Sequence, residues 1–171
     1  MRNLTILVKI SVSGLFLLTS IGCSQAPDEP AATTAAPAVD EDSPEFAATE
    51  YRQGLMHVLE FKAGPVRNMA DGSIPVNEAL FVESATDLAA AAGMLTEGFI
   101  AGSSSEELPG SSGLPDIWDN WDDFVEKSAA LETSATEVAT LAAEGGFAAA
   151  QAAASELGGN CGGCHRPYRQ R

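Results

Sequence analysis

The sequence is short of basic side chains, of aromatic rings and of soft metal ligands. Nine Lys and Arg stand against 24 Asp and Glu, a formal net charge of −15 over 171 residues. Residues 1–22 hold Arg2 and Lys9 and no acid, so without them the balance is 7 against 24, or −17. A surface of that sign repels phosphate backbones and anionic lipid headgroups, which excludes nucleic acid and electrostatic membrane attachment. The excess itself reads equally as simple solubility or as an acidic docking face. Neither a hydrolase nucleophile motif nor a glycine-rich phosphate loop is present, so the chain does not read as an enzyme. The apolar centre near the N-terminus, Ile10–Leu18, is too short to span a bilayer. Aromatics make up only 6% of the chain, and the stretch from Ser128 to Ala154 is dominated by small side chains that would leave a thin core.

What is present at the N-terminus is an export signal. Arg2 and Lys9 precede the apolar centre, and Ser20-Ile21-Gly22-Cys23 is similar to a bacterial lipobox, with Ser20 where leucine is usual. Residues 1–22 are therefore expected to be a signal peptide of lipoprotein type, with lipidation at Cys23 as the first mature residue. The alternative is ordinary cleavage after Ser24-Gln25-Ala26, which discards Cys23. Residues 23–43 are rich in Pro, Ala, Thr and acids, cannot bury enough apolar surface to order, and read as a tether. About 20 such residues span roughly 25 Å r.m.s..

Residues 44–171 carry helical periodicity four times and no convincing strand. A first helix opens at the Ser43-Pro44 cap and runs to Asp71-Gly72, with Arg52, Met56, Leu59, Ala63 and Val66 on one face and a kink expected near Phe61 from Pro65. A second starts near Pro75 and ends around Gly98, with Leu80, Phe81, Ser84, Leu88, Ala91 and Leu95 as its stripe. Ile100–Leu114 is a long loop. A third helix begins near Trp118–Trp121, with acids suited to its N-terminal dipole, and stops at Gly145-Gly146. A fourth runs from Phe147 to Tyr168 with Cys161 and Cys164 on its inner stripe. The expected fold is all-α, an antiparallel four-helix bundle.

The chemistry lies in Cys161-Gly162-Gly163-Cys164-His165, the C-x-x-C-H attachment pattern of a c-type haem. Positions i and i+3 share one helix face, so two thiols can form thioethers with one porphyrin, and the adjacent imidazole can reach the iron from the same side. A dithiol redox pair is the competing reading, but that motif usually opens a helix, whereas this one closes the chain. Zinc would need further ligands, and only His57 and Cys23 remain. Met56 is a soft candidate for the second axial position or one more core methionine. His57 lies about 100° around the helix from Met56, which points it to the surface.

Taken with Tyr51-Arg52, Met56, Phe61, Gly72, Phe99, Pro115-Asp116-Ile117-Trp118, Phe124 and Tyr168-Arg169, the motif resembles the cytochrome c-prime family, the class II cytochromes c. The resemblance spans about residues 44–171. It implies one covalent haem c on Cys161 and Cys164, His165 as proximal ligand, Arg52 near a propionate, and Arg169 beside the proximal histidine. Tyr168 belongs to the same cofactor-binding set. Four residues after the arginine, Met56 implies the low-spin, His/Met-ligated branch. An apolar residue there would imply a five-coordinate iron that binds nitric oxide or other small gases, the alternative function. The expectation is a single-electron carrier in the periplasm, lipid-anchored, exchanging electrons with periplasmic or membrane redox proteins. Family members also often pair through the first two helices.

Overall fold

The computed structural model describes residues 39–171; the signal peptide, Cys23 and most of the 23–43 tether lie outside the described residues. No helix among the described residues is long and apolar enough to cross a membrane.

Helix α1, Pro44–Ala70, begins where expected: Ser43 is extended, its Oγ accepts from Phe46 N at 3.1 Å, and Pro44 needs no donor in the first turn. Leu55, Leu59, Ala63, Val66 and Met69 are buried along it. Pro65 does not interrupt the helix. Phe61, whose carbonyl the proline ring opposes, is 74% exposed, so water can serve the orphaned carbonyl there.

Helix α2 is shorter than the periodicity suggests. It runs Glu78–Ala92, capped by Asn77 Oδ1 accepting from Leu80 N at 3.1 Å, and a separate 3₁₀ turn follows at Leu95–Gly98. Leu80, expected on the inner stripe, is exposed; Phe81, Ser84, Ala85, Leu88, Ala91 and Ala92 form the buried row. The chain turns because Gly98 must lie against α1. A Cβ at Gly98 would meet Tyr51 Cδ1 at 2.8 Å and Ala48 O at 3.0 Å.

The loop that follows is fastened by one side chain. Arg52 is only 5% exposed, and its Nη1 donates to Gly98 O at 3.1 Å and Ser103 Oγ at 2.7 Å. Nη2 donates to Ser103 O and, at 2.6 Å, to Ser111 Oγ, while the Phe99 ring lies 5.1 Å from Cζ. Arg52 is therefore a buried fastener and not a solvated surface residue. Burial lowers its pKa, yet guanidinium stays charged and its desolvation is offset by these hydrogen bonds. Arg52→Ala would leave several buried acceptors unmet. We expect a loss of about 3–5 kcal/mol in denaturant unfolding, with little recovery in Arg52→Lys, which lacks the planar fork.

A single turn, α3 at Asp116–Asp119, precedes the long helix α4, Trp121–Gly145. The buried row on α4 is the one its spacing indicates: Phe124, Ser128, Leu131, Ala135, Val138 and Ala142. Gly146, at φ 77°, reverses the chain. The last arm is two helices, α5 at Phe147–Ala154 and α6 at Leu157–Tyr168, rather than one. Ser155 Oγ bonds Ala152 O at 2.6 Å, and the Gly158-Gly159 pair has weak helix propensity, so the backbone tightens to i, i+3 bonds at Glu156 and Gly159.

The arms α1, α2, α4 and α5–α6 form the antiparallel four-helix bundle, with Phe81 edge-on to Phe147 at 5.2 Å in its core. Beyond α6 the chain turns extended and pairs with the loop. Leu114 N donates to Tyr168 O at 3.0 Å, and Gln170 N donates to Ser112 O at 2.9 Å. Arg52 and this pairing together hold the loop against the end of α6.

Candidate cofactor site

Helix α6 presents Cys161 and Cys164 one turn apart, both half-buried free thiols packed against the core. Burial raises the Cys164 pKa, keeping it a thiol. His165 follows on the same turn. Burial, and then the charge of Arg169, hold its pKa below the ordinary imidazole value, so the ring is neutral with a nitrogen lone pair available to a metal.

These residues face a cavity of about 710 Å³ between α1, α4, α6 and the loop. That volume falls within the range of about 300–1,000 Å³ usual for cofactor pockets. Leu59, Leu88, Phe99, Ile117, Phe124 and Leu131 supply its apolar wall. Met56 lines it from α1, and so does His57, which is exposed as expected but borders this cavity rather than open surface. Charge is distributed unevenly: Arg52, Arg67, Lys127 and Arg169, four of the seven basic residues beyond residue 22, line this one space. The structure thus brings together Cys161, Cys164, His165, Met56, Arg52, Tyr168 and Arg169; Cys23 lies outside the described residues.

Tyr168 closes the inner end. Its ring is buried edge-on to Phe124 at 5.5 Å, and Phe124 lies 4.6 Å from Phe99. Its hydroxyl donates to the Asp123 carboxylate. Sequence alone makes Asp123 a dipole residue of the third helix and no more, because no local pattern reveals a partner on α6. Lys127 Nζ also reaches Asp123, at 3.2 Å. The Tyr168 bond first, then Lys127, hold the Asp123 carboxyl below its ordinary range.

Burial, followed by the bond to Asp123, pushes Tyr168 up to about 12 from 10.0. A raised folded pKa favours the protonated form, so its contribution to stability is complete below pH 10.0 and is lost as pH rises through about 12. The depressed Asp123 works in the opposite direction: its contribution is present above the unfolded value and is lost in acid as pH falls through the folded one. In a spectrophotometric base titration the last phenolate step should belong to Tyr168, and Tyr168→Phe should remove that step while leaving the Tyr51 step.

The family model described as Cytochrome C' matches residues 47–169, from the first turns of α1 through Arg169. The chain belongs to the cytochrome c' family. A cytochrome c-554 of Cereibacter sphaeroides is 36% identical over 123 residues, covering 71% of this chain and 92% of the relative. A cytochrome c' of Halomonas halodenitrificans is 32% identical over 125 residues, covering 71% and 95% respectively. The solved cytochrome c prime of Shewanella frigidimarina superposes with a TM-score of 0.69 at 30% identity, covering 76% of this chain and 98% of that one.

Cytochrome c' proteins bind haem c, and the residues present here fit that group. Two thiols stand at the required i, i+3 spacing beside a neutral imidazole. The apolar cavity carries arginines suited to propionate carboxylates. Both Nη groups of Arg52 are committed to the loop, which leaves Nε as its donor free of those bonds.

Proposed function

We propose that this cytochrome c' family member is a monohaem electron carrier, with haem c held through Cys161 and Cys164 and with His165 and Met56 as axial ligands. The observation that carries the reading is the convergence of both cysteines, His165 and Met56 on one cavity. Haem c, when bound, supplies reversible one-electron chemistry. The protein does the rest. Cys161 and Cys164 fix the group covalently, and His165 offers its neutral nitrogen. The Met56 thioether is a soft donor that favours the reduced state and raises the potential. Phe99, Phe124 and Tyr168 keep water from the inner wall, and Arg169 limits approach beside His165.

The export signal and Cys23 support a periplasmic, lipid-anchored location; the mass of protein extracted from membranes tests it, since a lipidated Cys23 adds acyl mass that ordinary cleavage would not. Val58, Phe61 and Leu80 are exposed apolar side chains on α1 and α2, and they support pairing of two copies through those helices. The partners are periplasmic or membrane redox proteins. Visible spectra through a reductive titration test the carrier reading: low-spin spectra at both ends support it, whereas high-spin spectra support the gas-binding alternative.

A further inference from the structure

Helix α6 carries the attachment motif and His165, yet its own sequence holds it poorly. Four of its twelve residues are glycine, and Pro167, just after the motif, has no N–H to give the carbonyl of Gly163. The motif is also loosely packed. Leu157 and Tyr168 are the buried residues of α6 and they bracket it, while Cys161, Cys164 and His165 between them are only half-buried. Arg169, whose charge acts on His165, carries donors only. It cannot accept from the imidazole N–H in the way that usually orients a metal-ligating histidine.

The last turn of α6 is therefore held from outside, at Tyr168. Its carbonyl accepts from Leu114 N at 3.0 Å, which ties the turn to the loop. Its ring stands edge-on to Phe124, a contact that sets a distance but tolerates sliding. Its hydroxyl donates to Asp123 Oδ2, and this directional bond fixes where along α4 the turn sits. Lys127, one turn further along α4, takes the other carboxylate oxygen at 3.2 Å, which keeps Oδ2 turned toward Tyr168. On the far side of the motif, Asn160 Nδ2 donates to Ser134 Oγ at 2.8 Å. The motif thus hangs between two polar ties to the same helix, and His165 stands one turn from the Asp123 tie.

We propose that Asp123 is a positioning residue for the proximal ligand: by holding the Tyr168 hydroxyl it sets how His165 meets the haem iron. The inference rests on His165 as an iron ligand, which the electron-carrier reading and the gas-binding alternative share, and not on Met56. Without the tie the imidazole is less constrained, so its bond to iron is weaker and more varied. A carboxylate charge acting on the iron through space would be a different effect, and variants separate the two.

The background for the test is the ferrous, haem-loaded protein with Met56→Ala and His57→Ala, which lacks both side chains able to take the sixth position. Resonance Raman should show its iron–histidine stretch. In that background Asp123→Ala and Tyr168→Phe should each lower and broaden the band to the same extent, and the two together should move it no further. Asp123→Asn keeps an oxygen that accepts from Tyr168 and should leave the band near its original place. Tyr168→Phe retains the ring against Phe124, so it reports the tie even where Asp123→Ala folds poorly. A band that follows charge, shifting in Asp123→Asn and Asp123→Ala but not in Tyr168→Phe, would overturn the proposal. So would a band unmoved by both Asp123→Ala and Tyr168→Phe. If the background protein keeps its haem but shows no iron–histidine band, His165 is not the ligand, and the reading beneath the proposal has failed with it.

Discussion

Replacing Cys161 and Cys164 together by serine should abolish covalent haem attachment. A thioether needs sulfur, and the serine hydroxyl does not add to a vinyl group under the conditions in which a thiol does. The unmutated protein should keep its haem on a denaturing gel, and the double variant should fall to background. The consequence extends to the fold. The cavity of about 710 Å³ between α1, α4 and α6 is walled by large apolar side chains, among them Leu59, Leu88, Phe124, Leu131 and Leu157. Without an occupant its apolar walls lose their packing partners, so the double variant should also unfold at lower denaturant and bind hydrophobic dyes. Haem removed from the unmutated protein by acid and organic solvent would overturn the attachment claim.

Met56→Ala should change the spin state without releasing the haem. The thioethers and His165 are untouched, and Met56 is only half-buried, so the packing loss should stay near the low end for such truncations, about 2 kcal/mol. With the soft sixth donor gone, the iron should turn high-spin, the potential should fall, and carbon monoxide should bind faster. His57 is the residue to watch in this variant, because it also borders the cavity. A spectrum that stays low-spin in Met56→Ala but turns high-spin in Met56→Ala, His57→Ala would mean that His57 can move in as a substitute ligand.

Much of the bundle and of the site is legible in the amino-acid sequence alone. Repeats of 3.6 residues name the buried row on α4, and on α1 they name Arg52, Leu59, Ala63 and Val66 but put Met56 in the row where Leu55 is the buried residue and Met56 only half-buried. The C-x-x-C-H spacing works through a single helix turn and needs no tertiary information. The features that escape the sequence depend on contacts between distant residues. Helix α2 ends at Ala92 because Gly98 is needed against Tyr51 and Ala48, a packing requirement that α2's own pattern does not contain. The division between α5 and α6 comes from Ser155 and two weak helix formers inside an otherwise alanine-rich run. Arg52 is the instructive case. Periodicity puts it on the inner face, and the resemblance gives it a propionate. Neither reveals that its guanidinium fastens Gly98, Ser103 and Ser111, residues which composition marks only as loop. Tyr168 and Asp123 are similar: each has a local explanation, and the bond between them has none.

The central claim is that His165 and Met56 ligate one haem covalently held by Cys161 and Cys164. Electron paramagnetic resonance and far-red absorption of the oxidised holoprotein at neutral pH test it most directly. The account predicts a low-spin ferric signal together with the charge-transfer band of a thioether–iron bond, both lost in Met56→Ala. A high-spin ferric signal in the unmutated protein, with no thioether band, would contradict it and would make Met56 a packing residue above an open coordination site.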